Sequence, residues 1–155
     1  MKKLGLNRQF RPEAYKMNDG LGKRVVTDYL IRNGHTLLST TENYSFDIES
    51  EKDNQTYFSE VEMKNQWRGD WNTSWKEIRI PYRKHKLLDR HKKMATYKNI
   101  LLNFFVIRGD CKYAWKIKDS QLTDERAKDV WLVNAKRTEP FYHIPYQEAE
   151  LIKLV

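Results

Sequence analysis

The chain is short of the residues that staple small proteins or hold structural metals. Cys111 is its only cysteine, so no intrachain disulfide can form and no multi-cysteine zinc site can be built. The four histidines, His35, His85, His91 and His143, do not recur at the i, i+4 spacing of a helical zinc motif, which leaves carboxylates as the expected metal ligands. No run of about 18 uncharged apolar residues is present, and the opening Met-Lys-Lys-Leu-Gly-Leu-Asn-Arg has no continuous apolar stretch of the secretory kind. The expectation is therefore a cytoplasmic protein. Internal repeats, low-complexity tracts and dividing linkers are also missing, and 155 residues suit one domain with one site.

What is present in excess is positive charge, and its distribution is uneven. The formal charge is +8. Between residues 79 and 98 stand Arg79, Arg83, Lys84, Lys86, Arg90, Lys92, Lys93 and Lys98 against a single acid, Asp89. Residues 42 to 62 are the reverse: Glu42, Asp47, Glu49, Glu51, Asp53, Glu60 and Glu62 against Lys52 alone. Carboxylates beside a polyanion-binding face repel phosphate unless a cation stands between them. Mg²⁺ resolves that conflict, because it neutralises the acids and bridges to phosphate oxygens while Lys and Arg hold the flanking backbone. Ordinary solvated charge on unrelated faces is the competing reading.

Periodicity places these groups. Leu21, Val25, Val26, Tyr29 and Leu30 predict a helix over 19–33, capped by Asn18 or Asp19 and ended at Gly34. Strands are expected over 35–41 and 44–51, with a turn at Asp53-Asn54. A third strand over 57–66 puts Glu60, Glu62, Lys64 and Gln66 on one face, opposite Val61 and Met63. Residues 68–82 have loop composition, and Trp67, Trp71 and Trp75 within this region either pack into the core or cover a cleft and stack on a base. A second helix over 84–97 carries a basic stripe. A central strand over 99–107, a turn at Arg108-Gly109-Asp110 and a strand over 113–117 follow. Beyond these, 123–133 suggests a short helix and 139–144 a late strand. The fold class is α/β, with helices flanking a mixed sheet: a core over about 19–118 and a C-terminal extension over about 119–155.

Asp47 after an aromatic on one strand, then Glu62-Met63-Lys64 near the end of the next, resembles the PD-(D/E)xK signature of the restriction-endonuclease-like nuclease superfamily. The order helix, three strands, helix, strand is similar to that superfamily's αβββαβ core, over about two thirds of the chain. A second acid-x-lysine, Asp110-Cys111-Lys112, reads as turn composition. The resemblance implies a DNA endonuclease dependent on Mg²⁺ (or Mn²⁺), site-specific or junction-resolving. Asp47, Glu62 and the Met63 carbonyl would hold metal, and Lys64 would orient water or share developing charge. Glu60, on the same face, is a further ligand candidate or a partner for Lys64 or Gln66. Gln66 is similar to an accessory glutamine of some members. Where the family often has a first-helix glutamate, this chain has Lys23 and Arg24, with Glu13, Asp19 or Asp28 as substitutes.

Arg83, Lys84, Lys86, Arg90 and Lys93 are the candidate phosphate contacts for duplex or branched DNA. Symmetric cutting of two strands would require a two-fold homodimer, for which residues 131–155 could supply the interface or else complete the core. The alternative from another class is a nucleic-acid-binding protein of the same fold without catalysis; RNA as substrate also stays open.

Overall fold

The computed structural model describes residues 12–39, 46–96 and 99–155, with the side chains of 12–19 and 39 outside that description. Helix α1 (Pro12–Arg32) is followed by strands β1 (Thr36–Ser39), β2 (Ile48–Lys52), β3 (Gln55–Lys64) and β4 (Glu77–Pro81). Then come helix α2 (His85–Ala95), β5 (Ile100–Arg108), β6 (Tyr113–Lys118), β7 (Ala127–Leu132), β8 (Arg137–Pro145) and β9 (Glu150–Lys153). Six strands form a mixed sheet in the order β1-β2-β3-β5-β6-β9, and three form a smaller antiparallel sheet in the order β4-β8-β7. The protein is thus α/β with a mixed central sheet. Among the described residues no helix is long and apolar enough to cross a membrane.

Helix α1 starts further upstream than its apolar repeat. Proline at the first helical position lacks only an N–H that would have no partner there, so Asn18 and Asp19 lie inside the helix and do not cap it. Gly22, Val26 and Leu30 face the sheet at four-residue intervals. At the other end Gly34 adopts φ +90° and the His35 N–H closes onto the Leu30 carbonyl at 3.0 Å, a glycine-dependent helix stop. Asp53 and Asn54 both take left-handed backbone (φ 51° and 65°), as a two-residue hairpin requires, and this sets the β2–β3 register at Ile48↔Ser59. The downstream end of the first expected strand (40–41) and the upstream end of the second (44–45) lie outside the described residues.

Strand β5 lies between β3, to which it is parallel, and β6, to which it is antiparallel. Seven of its nine residues are buried, as its near-continuous apolar sequence requires of a strand covered on both faces. On one face α1 packs through Val26 and Leu30 against Ile48, Val61, Phe105 and Ile107. On the other, Phe46, Phe58, Leu102, Phe104, Val106 and Trp115 meet Leu88 of α2 and the inner side of the small sheet, Ile78, Ile80, Tyr142 and Ile144.

Two expectations are corrected. Residues 68–82 are not all loop, since β4 forms where Ile78 and Ile80 alternate with Glu77 and Arg79 and pair with β8. Residues 123–133 are not a helix: a single 3-10 turn over Asp124–Arg126 leads into β7. The C-terminal segment does complete the core, because β9 pairs with β6 and buries Ile152, followed by buried Leu154. Asp110-Cys111-Lys112 lies in a turn, as expected, with Cys111 at φ 62° and Asp110 held by Arg108 at 2.7 Å.

Candidate active site

The site lies where β2 stops and β3 continues. Pairing of the two strands is recorded from Lys52↔Gln55 to Ile48↔Ser59, whereas β3 runs on to Lys64. Just past the last pair, side chains take over from the ladder. The Asp47 N–H donates to Glu60 Oε2 at 3.0 Å, and the Val61 N–H donates to Asp47 Oδ2 at 2.9 Å. Alternation along β3 then sends Phe58 into the core and puts Glu60, Glu62 and Lys64 on that same face. The sequence-predicted face is therefore present from Glu60 to Lys64; β3 ends there, and Gln66, expected on the same strand, lies exposed in the turn beyond it.

A fourth group enters from the 3-10 turn Tyr82–Lys84 that precedes α2. Lys84 Nζ donates to Glu60 Oε1 at 3.0 Å, with the lysine side chain 23% exposed and the glutamate 7%. This corrects two expectations: Lys84, a candidate phosphate contact, points into the carboxylates, and Glu60 pairs with Lys84 instead of Lys64 or Gln66. Burial, then repulsion from Asp47, push the Glu60 carboxyl up to about 7 against the pull of Lys84. Burial also raises Glu62, opposed by the charges of Lys84, Arg83 and Lys64. For Lys84 burial works against the charge, but attraction and a hydrogen bond from Glu60, helped by Glu62 and Asp47, leave its pKa raised. Burial and the nearby Arg79 lower that of Lys64, against the attraction of Glu62. Two carboxylates with raised pKa and an ammonium with a lowered one, on a single strand, make a perturbed set of the kind that serves proton transfer or ligation.

Glu60 and Glu62 differ in commitment. Glu60 accepts both described hydrogen bonds, while among the described residues Glu62 makes no hydrogen bond or ion pair. Lys64 is half-buried, with its ammonium 5.3 Å from the centroid of the Trp75 ring. Beyond it opens a groove of about 610 Å³, lined by Lys64, Gln66, Trp71, Trp75, Lys76 and Arg79 among others. Trp67 is buried in the core, whereas Trp71 and Trp75 pack against that core with part of their surface left on the groove.

Lys86, Arg90 and Lys93 are exposed on α2, and exposed Arg83 lies 3.5 Å from Glu139 of β8. Asp28 is exposed on α1, the helix that covers the opposite face of the sheet; the side chains of Glu13 and Asp19 lie outside the described residues. Among the described residues, no three His, Cys, Asp or Glu side chains converge closely enough to hold a metal by themselves. Any divalent ion here would rest on two carboxylates, main-chain oxygen and water, the usual habit of Mg²⁺. Sequence reasoning missed Arg79 as a neighbour of Lys64. Its signal was the alternation of Ile78 and Ile80, which turns Arg79 away from the core.

No family model and no curated protein matches the chain.

Proposed function

We propose that this chain is a Mg²⁺-dependent deoxyribonuclease of the PD-(D/E)xK kind, hydrolysing phosphodiester bonds at the open end of β3. The observation that carries the reading is the grouping of Asp47, Glu60, Glu62 and Lys64 beyond the last β2–β3 pair, on a face that Lys84 enters from the turn before α2. The donor set suits a hard cation: the ligands are oxygens, and burial raises the carboxyl pKa values of Glu60 and Glu62 in spite of the lysines nearby, a cost that a bound cation would relieve. Asp47, Glu62 and the Met63 carbonyl would hold Mg²⁺ or Mn²⁺. Once bound, the ion supplies charge neutralisation and a more acidic water.

The residues of the chain do the rest. Lys64, with its ammonium within reach of Glu62's field, orients the attacking water and shares the negative charge that develops on the phosphate. A proton leaves an ammonium of lowered pKa more readily than it leaves a guanidinium, so arginine is a poor substitute here. Glu60, clamped by Lys84 and by the Asp47 N–H, fixes the backbone of Asp47 and acts as a positioning residue. Gln66 stands exposed at the groove, available to a flanking phosphate. Lys86, Arg90 and Lys93, with Arg83 at their end, draw in the DNA backbone. Cutting both strands of a duplex or a four-way junction calls for a two-fold homodimer.

A second reading has its own observation. The bonds of Asp47 and Glu60 to backbone N–H groups also serve simply to finish a hairpin, as they would in a binding protein without catalysis. Incubating supercoiled plasmid and a synthetic four-way junction with Mg²⁺ or EDTA, for wild type and Lys64→Ala, separates the two. The nuclease reading expects Mg²⁺-dependent cutting that falls roughly 10²- to 10³-fold in the variant. Metal-indifferent binding without cutting of either DNA selects the inert protein.

A further inference from the structure

We infer that the groove beside Lys64 is a binding site for an unpaired nucleotide of single-stranded DNA, with the base against the Trp75 ring and its phosphates on Lys76 and Arg79. Where the held strand is also the strand cut, the inference rests on the nuclease reading above; binding by the groove does not.

Charge supplies the first support. Lys64, Lys76 and Arg79 line the groove, and the one acid among its described lining residues, Glu77, has a carboxylate oxygen 3.3 Å from Nδ1 of buried His143. The surface is therefore built for an anion, and the α2 stripe is a separate one, on another element.

Aromatic surface supplies the second. Trp75 ends a tight turn in which its N–H donates to the Asn72 carbonyl at 2.8 Å, while the Ser74 N–H and hydroxyl both reach Asn72 Oδ1. Trp71 Nε1–H donates to the Trp75 carbonyl at 2.9 Å, and the Trp71 ring packs edge-on against the stacked pair Trp67 and Trp115. The Trp75 platform is thus held from below by the core. A ring fixed in this way loses little freedom when a base stacks on it. Lys64 lies over that ring in the free protein, and its ammonium sits on a flexible four-carbon stem that can yield the ring to a base.

Size and chemistry choose the ligand. A groove of about 610 Å³ is of small-molecule dimensions, and the paired, stacked bases of a duplex offer no free face to a tryptophan. An unpaired nucleotide offers both a π-face and a phosphate. Since Lys64 borders both the groove and the carboxylates, a strand held here enters the candidate active site directly.

The test is titration of fluorescein-labelled octathymidylate and of a fully paired 20-base-pair duplex in EDTA, read by anisotropy and tryptophan emission. Trp75→Phe keeps octathymidylate affinity within a few-fold, whereas Trp75→Leu, which preserves apolar bulk, lowers it about tenfold and leaves duplex affinity unchanged. Arg79→Ala weakens octathymidylate binding and reduces its salt dependence by about one ion. Equal octathymidylate affinity in wild type and Trp75→Leu, or equal losses for the duplex, overturns the inference. Absence of Mg²⁺-dependent cutting beside intact, Trp75-dependent binding overturns the nuclease reading alone.

Discussion

The two halves of β3 have opposite characters. From Thr56 to Ser59 the strand lies paired between β2 and β5, and Phe58 packs into the core. From Glu60 to Lys64 it keeps β5 but has no β2 partner among the described residues, and its inward face carries two carboxylates and an ammonium. A strand flanked on both sides satisfies its polar groups through the ladder. One that outruns its partner must satisfy them with side chains, and the acids needed for that can also be lent to chemistry. Within the second half the division repeats: Glu60 is spent on Lys84 and the Asp47 N–H, and Glu62 is held in reserve.

The sharpest way to break this division is to neutralise the two glutamates separately. Glu62→Gln is expected to lower Mg²⁺-dependent cleavage by at least roughly 10²-fold. It should leave the melting temperature unchanged or raised, because removing a partly buried, uncommitted charge relieves a desolvation cost. Glu60→Ala reverses the balance. It strands the Lys84 ammonium and the Asp47 N–H, at a cost of about 2 kcal/mol once the lysine's partial exposure is allowed for, or a fall in melting temperature of about 4–8 °C. Plasmid cleavage and thermal unfolding measured on the same preparations decide the matter. If Glu62→Gln melts early and Glu60→Ala does not, the two roles have been assigned the wrong way round.

A smaller effect is expected from the opposite face of the same half-strand. Gly22 of α1 lies under Val61, Met63 and Ile107, where an added Cβ would meet each of them at 3.2 Å. Gly22→Val overfills this contact and should cost about 1–3 kcal/mol. Cleavage at 25 °C should nevertheless persist, because Val61 and Met63 point away from the acids. A folded Gly22→Val protein that no longer cuts would show that the two faces are not independent.

The sequence made β3 legible because its alternation is strict: Glu60, Glu62 and Lys64 on one side, Val61 and Met63 on the other. The Asp53-Asn54 turn, the continuous apolar run of β5 and the stripe of α2 were legible for similarly local reasons. The small sheet was not, since β4 pairs with residues 60 or more positions away and β7 has meaning only against β8. That distance also hid the groove, which β4 builds by standing Arg79 across from Lys64. Lys84 was misplaced because a lysine within a basic run carries no sign of direction. Only the 3-10 turn before α2 aims it at Glu60.

The least damaging change sets the two basic surfaces against each other. Lys86, Arg90 and Lys93 stand exposed on α2, and none of the three has an ion-pair partner among the described residues. Each phosphate they neutralise should release about 0.9 of a counterion. Arg90→Ala with Lys93→Ala should therefore flatten the slope of log affinity against log salt by about 2 for duplex DNA, and weaken binding uniformly across sequences. With substrate saturating at low salt, cleavage should change little, because neither residue approaches the carboxylates. Trp75→Leu gives the complementary pattern: an unchanged duplex slope and a loss confined to unpaired DNA. Anisotropy titrations across a salt series, in EDTA so that no strand is cut, resolve the two slopes directly. Should the double alanine variant leave the duplex slope intact, α2 is a solvated face, and the duplex is held by another surface.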